Sequence, residues 1–225
     1  MIVKKNVQKR FIQIAINFIV LTLILFISAG TLAWLWAWIY IGISLFILIL
    51  NSFFIPKEVI AERGKKKMNV KKWDKIISTL NTVPAIGIII VSGMDSRFNW
   101  SQGLSIRFHI VGILLMIFGN VLFTWSMMCN KYFSTLVRIQ VERNHTVSTG
   151  GPYSFVRHPG YVGFILFNFA TPFMLGSLWA LIPAGIVFIL LVIRTELEDR
   201  TLKKELDGYN EYAKRVKYRL MPGIW

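Results

Sequence analysis

Long apolar runs alternate along this chain with short stretches crowded with Lys and Arg, and that alternation leaves few folds open. A helix needs about 20 mostly apolar residues to cross about 30 Å of hydrocarbon. Runs of that kind occupy residues 11–29, 32–55, 76–93 and 104–129. A further apolar region, 160–193, is too long for one crossing. It contains Pro172, Gly176-Ser177 and Pro183, so it reads as a helical hairpin turning near Gly176. The expected fold class is therefore all-α, a polytopic transmembrane helical bundle of about six spans. The first run follows Lys4, Lys5, Lys9 and Arg10 and so resembles a signal peptide. It is long for one and lacks a clear cleavage site, which favours a retained helix.

A formal charge of +15 invites a nucleic-acid reading, but the positions of the charges exclude it. With six spans, the N-terminus, 57–75, 130–159 and the C-terminal tail share one side of the membrane and hold 24 Lys and Arg; Arg97 and Arg107 lie on the other. The excess of positive charge on cytoplasmic loops then places both termini and both long loops in the cytoplasm of an inner or plasma membrane protein. Residues 57–75 carry too many charges to bury and read as a loop at lipid headgroups. Arg107 and His109, in the first turns of their span, are expected to snorkel. A single cysteine, Cys129, and three scattered histidines cannot build a four-ligand zinc site, and no metal is expected.

Transporters tend to carry charges at mid-membrane. Here the middle of each expected span lacks Asp, Glu, Lys and Arg, and polar side chains gather instead at 130–161 and 194–219. The chain thus divides into four N-terminal spans (1–129) and a polar-faced region (130–225) made of a loop, a hairpin and a C-terminal amphipathic helix. In that helix Tyr209, Tyr212 and Val216 share the packed face, while Lys214, Arg215, Lys217 and Arg219 meet anionic lipid. Within the loop, Gly150-Gly151-Pro152 forces a turn and Pro159-Gly160 opens the next helix. Tyr153, Arg157, His158 and Tyr161 lie between or beside these breaks. At the end of the last span Arg194 and Glu198 sit one helical turn apart, where a guanidinium can grip a carboxylate and a carboxylate can hold a cation or ribose hydroxyls. Composition alone favours plainer readings: a headgroup-anchoring loop, and an ordinary surface pair.

The order and spacing of two blocks change that balance. Gly-Gly-Pro-Tyr-Ser-Phe-Val-Arg-His-Pro-Gly-Tyr-Val-Gly (150–163), followed after a hairpin by Arg194, Glu198-Asp199, Leu202, Gly208-Tyr209, Tyr212 and Arg215-Val216, resembles the isoprenylcysteine carboxyl methyltransferase family over about residues 130–225. The resemblance implies S-adenosylmethionine as cofactor, bound between the loop and the two helices that follow. It implies that His145, Thr146, Val147 and Ser148 line the adenosyl end, largely through backbone, and that Tyr153 and His158, Pro159, Gly160 and Tyr161 complete the pocket. Gln140 corresponds to a further contact, Glu198 to a cofactor ligand, and Arg194 to the residue that holds the substrate carboxylate. The family often has two glutamates where this chain has Glu198-Asp199. The implied acceptor is a prenylated substrate or, more broadly, a lipophilic small molecule reached from membrane lipids. Alternatives are a phospholipid or small-thiol methyltransferase, an NADPH-dependent reductase (sterol reductases carry a similar Arg-His-Pro-x-Tyr segment), and a non-enzymatic membrane scaffold.

Overall fold

The structure, a computed structural model, describes residues 2–65, 68–102 and 104–225. In chain order the helices are α1 (Ile2–Ala29), α2 (Leu35–Phe54), α3 (Lys57–Gly64), α4 (Lys72–Phe98), α5 (Ile106–Cys129), α6 (Pro159–Leu175), α7 (Leu181–Glu205) and α8 (Tyr209–Arg215). Among the described residues there is no strand. Four helices, α1, α2, α4 and α5, are long and apolar enough to cross a membrane. The shorter α6 is also apolar, and α7 loses its apolar character where Arg194, Glu196 and Glu198 begin.

Small residues set how closely these helices approach, as expected where lipid removes most of the hydrophobic drive for helix association. The tightest pair is α5 with α6. A Cβ on Gly119 would lie 2.8 Å from the Gly163 carbonyl oxygen, and one on Gly163 would lie 2.6 Å from that of Gly119. One turn pair away, Gly112 abuts the backbone of Met174. At the far end of the bundle, Asp95 accepts from Ser101 N and Oγ and from Ser177 Oγ, tying the α4–α5 connection to the α6–α7 turn. The outer faces of α1, α2 and α5 expose Ile, Leu, Val and Phe, the surface a bilayer would cover.

Three expectations fail. Residues 57–75 are not a loop: 57–64 form α3, which buries Val59, Ile60, Ala61, Glu62 and Gly64 against its neighbours, and α4 begins at Lys72. Contact rather than composition explains this. Gly64 sits against the Asn6 carbonyl of α1 with no room for a Cβ, and buried Glu62 is neutralised by Arg138 at 2.9 Å and Lys65 at 2.7 Å. Lys66 and Lys67 of that stretch lie outside the described residues, as does Gly103. Second, His109 does not snorkel. It is buried, stacks on Trp36 at 3.7 Å, and its Nδ1 pairs with the Met174 carbonyl at 2.8 Å. Third, Arg219 does not face lipid but bonds Asp199 and Glu196 at 3.1 Å each.

Candidate functional site

At the end of the bundle where α5 stops, α6 starts and α7 leaves its apolar stretch, a cavity of about 280 Å³ opens. Residues 130–158 pass over it. Their path is fixed by hydrogen bonds that the local sequence makes necessary. Gly151 takes φ +58°, a conformation that disfavours a side chain, and a Cβ there would meet Cys129 Sγ and Trp125. The neighbouring Tyr153 turns inward: its hydroxyl donates to the Ser126 carbonyl at 3.3 Å, and its own carbonyl accepts from Tyr212 of α8 at 2.7 Å. Pro159 occupies the first turn of α6, where no amide hydrogen is required, and Gly160 leaves room for the Phe133 ring.

The C-terminal tail seals the other side. Arg157 N donates to the Tyr218 carbonyl and His158 N to that of Arg219, both at 2.9 Å. Beneath them lies Asp199, fully buried. It accepts from Arg157 Nε at 2.7 Å and Nη2 at 3.0 Å, from Tyr209 Oη at 2.9 Å and from Arg219 Nε at 3.1 Å, and it pairs with Lys203. Burial works against its charge, but hydrogen bonds from His158 and Arg157, together with their charges, hold the carboxyl far below the usual carboxylate range. This centre fastens loop, α7, α8 and tail together. The sequence had marked Asp199 only as a variant of a second glutamate, and Arg157 only as one polar tip among several. An acid and an arginine at the same membrane boundary must find partners, and that rule was the available signal.

Of the residues singled out in the sequence, His145, Thr146, Val147, Ser148, Tyr153, His158, Gly160, Tyr161, Arg194 and Glu198 line the cavity together. Gln140 and Pro159 do not. Gln140 is buried behind the wall, donating to the Tyr132 carbonyl at 2.6 Å and accepting from Arg143 at 2.7 Å. Its backbone N–H donates to His145 Nδ1 at 3.3 Å, so it acts on the site by orienting that ring. Burial first, then the charges of Arg138 and Arg143, pull His145 down to about 4, so the ring is neutral at physiological pH. Glu198 accepts a hydrogen bond from Tyr161 Oη. On the same wall, Ser134 Oγ and Arg138 Nε are buried without a hydrogen-bond partner among the described residues. Orphaned polar atoms beside a cavity are where a ligand finds its partners.

Arg194 is already engaged. Its Nε donates to Asp74 Oδ1 at 2.7 Å, and its Nη2 to Asp74 Oδ2 at 3.3 Å and to the Thr135 carbonyl at 3.0 Å. Asp74, at the start of α4, is fully buried and also accepts from Val137 N at 2.6 Å. The fork expected to grip a substrate carboxylate thus holds one from its own chain, leaving Nη1 without a partner among the described residues.

A second cavity, of about 330 Å³, adjoins the first. It lies among α1, α2, α4, α5 and α6 and is lined mainly by Leu, Ile and Phe. Arg63, Phe123 and Phe164 belong to both walls. Among the described residues no group of three or more His, Cys, Asp or Glu converges to hold a metal ion.

Four helices of membrane-crossing length, with a polar cavity beside an apolar one where α5 stops and α6 starts, define an integral membrane protein with a candidate ligand site at one end of its bundle. Residues 111–204 match the isoprenylcysteine carboxyl methyltransferase (ICMT) family. It is 29% identical over 168 residues to the rat protein-S-isoprenylcysteine O-methyltransferase, covering 70% of this chain and 57% of that protein. It is 28% identical over 168 residues to the human enzyme of that name, with the same coverage. Over 108 residues it is 32% identical to protein-S-isoprenylcysteine O-methyltransferase B of Arabidopsis thaliana, covering 47% of this chain and 55% of the relative. The chain therefore spans little more than half the length of these curated relatives.

Proposed function

We propose that this protein is an S-adenosylmethionine-dependent membrane methyltransferase that esterifies the carboxylate of a lipophilic acceptor. The single observation that carries this reading is the meeting of the 145–161 segment with the Arg194–Glu198 turn of α7 around one cavity, which shares wall residues with a second, apolar one. The polar cavity suits the cofactor. It offers a carboxylate, Glu198, for a sulfonium cation or ribose hydroxyls, and loop backbone at 145–148 for an adenine edge. It also offers the orphaned Ser134 Oγ and Arg138 Nε as hydrogen-bonding groups. The apolar cavity suits the acceptor's tail, which enters from lipid between helices.

When bound, S-adenosylmethionine supplies an electrophilic methyl group on sulfur. Passed from that sulfur to an acceptor carboxylate, the methyl group would give a methyl ester and leave a neutral thioether. No proton moves, because a carboxylate is already ionised near pH 7. The protein's task is alignment in an in-line displacement, which is worth more here than acid–base assistance. Tyr161 fixes the Glu198 carboxylate. Arg194 lines the cavity with its charge neutralised by Asp74, so it orients an anion without binding it hard enough to blunt its nucleophilicity. The neutral His145 brings no positive charge to repel the donor.

We take α6 and α7 as two further crossings, giving six in all with both termini, α3 and the polar cavity on the cytoplasmic side. The distribution of Lys and Arg along the sequence supports this, 24 of 26 falling in the segments that six crossings put on one side. The test is transfer of labelled methyl from S-adenosylmethionine to membrane lipid extracts by the purified chain. A base-labile label, released as methanol, is the expected product. Base-stable label would assign the transfer to an amine or thiol instead.

A further inference from the structure

The arginines of the cavity region fall into two kinds. Arg138, Arg157, Arg194 and Arg219 each bond a carboxylate of this chain. Arg63 of α3 and Arg10 of α1 do not: among the described residues neither has a carboxylate within ion-pair distance, although both line the apolar cavity. They are neighbours because α3 crosses α1 in backbone contact at Gly64, where a Cβ would also lie 3.0 Å from Arg10 Cβ. Arg63 reaches furthest. Its guanidinium lies 5.7 Å from the Phe123 ring centroid and 5.4 Å from that of Phe133, and the residue forms part of the wall between the two cavities.

Aromatic faces attract a cation but are no counterion. Burial, then the like charges of Arg10 and Arg194, pull Arg63 down to about 9. It stays cationic at neutral pH in surroundings that penalise the charge, and an arriving anion would relieve that penalty. Arginines serving only to pack would snorkel to solvent or find one of the acids nearby, as Arg138 does with Glu62 on the same helix α3. Arg63 instead points inward to the place where a head lying on Glu198's side and a tail lying among α1, α2 and α5 would join.

We propose that Arg63, with Arg10 beside it, binds the anionic head of the acceptor, so that the enzyme selects carboxylate-headed amphiphiles whose tail fills the apolar cavity. This rests on the methyltransferase reading and adds to it a determinant from α1 and α3, both outside the segment 111–204 that matches the family. It also explains release, since a methyl ester carries no charge for Arg63 to hold.

The test uses the full chain in detergent and three probes with one tail: dodecanoate, its methyl ester, and dodecyl phosphate. Wild type is expected to bind dodecanoate at least tenfold more tightly than the ester. Arg63→Gln should reduce that ratio to about one, Arg63→Lys should restore most of it, and both should bind S-adenosylhomocysteine within twofold of wild type. Equal wild-type affinity for acid and ester overturns the proposal whether or not any variant folds. An undiminished ratio in Arg63→Gln also overturns it. Tight binding of dodecyl phosphate without dodecanoate reassigns the site to a lipid phosphate and overturns it too. If no S-adenosylhomocysteine binds but the acid–ester ratio still depends on Arg63, the anion site stands and the methyltransferase reading falls.

Discussion

The two cavities share Arg63, Phe123 and Phe164 but are built by different means. The polar one is held by compensated charge: Asp199 with Arg157, Arg219 and Lys203, and Asp74 with Arg194. Its walls pack as well, Tyr153, Leu206, Tyr209 and Tyr212 forming a buried cluster, but buried ion pairs and hydrogen-bonded backbone fasten the segments together. The apolar one is held by helix contact, with Gly119 against Gly163 on one side and Gly64 against α1 on the other, and among the described residues its two arginines have no acid within ion-pair distance. The difference teaches a division of labour. A charge-locked frame keeps a polar ligand's partners fixed, whereas a helix-lined chamber tolerates variable tails and recognises only the charge at its mouth.

Removing the frame's centre should have the largest effect. Asp199→Ala leaves Arg157, Arg219 and Lys203 facing a buried void, and loss of one partner from such a network costs about 3–5 kcal/mol. Thermal unfolding in detergent should fall accordingly, with cofactor binding lost. A melting temperature unchanged from wild type would mean that the lock is not structural. Glu198→Gln sharpens the comparison from the ligand's side. It lines the cavity and among the described residues bonds only Tyr161, so S-adenosylhomocysteine affinity should drop about tenfold or more, the worth of a charged hydrogen bond at ~1.5–3 kcal/mol. Its melting temperature should stay near that of wild type.

Filling the other chamber should do the reverse. Ser44→Phe places a ring in the apolar cavity. It should lower turnover of long-tailed acceptors severalfold relative to short ones and leave cofactor affinity alone; equal loss for both lengths would show that tails lie elsewhere. The smallest effect is one of pH. His145 sits at about 4, below the usual histidine value near 6.5, so the folded loop resists a proton that the unfolded chain accepts. Stability should therefore be flat above about pH 6.5 and decline as pH falls from there toward 4. His145→Gln should flatten that limb of the melting-temperature profile, and an unchanged slope would assign the decline to other groups.

Much of this was legible in the sequence, for reasons that also explain what was not. A run of 20 apolar residues has one stable conformation in lipid, so α1, α2, α4 and α5 follow from composition. The turn at Gly176, with φ +72°, and the packed face of α8 were equally plain. The meeting of the loop with α7 was legible only through the order of two motifs, since neither has a periodicity that implies contact. What escaped was every pairing across long sequence separation. Asp74 and Arg194 are 120 residues apart, and nothing local marks either as the other's partner. Helix α3 was missed because its charges outnumber its apolar side chains; its burial depends on Gly64 meeting α1 and on Arg138 reaching Glu62.

The claim on which all of this depends is that the polar cavity takes a sulfonium-type donor. Calorimetric titration of the purified full chain with S-adenosylhomocysteine, and separately with NADPH, tests it most directly. Saturable binding of the first, weakened in Glu198→Gln, with no heat from the second is the expected result. Binding of NADPH without S-adenosylhomocysteine would contradict the account and make the cavity a reductase site.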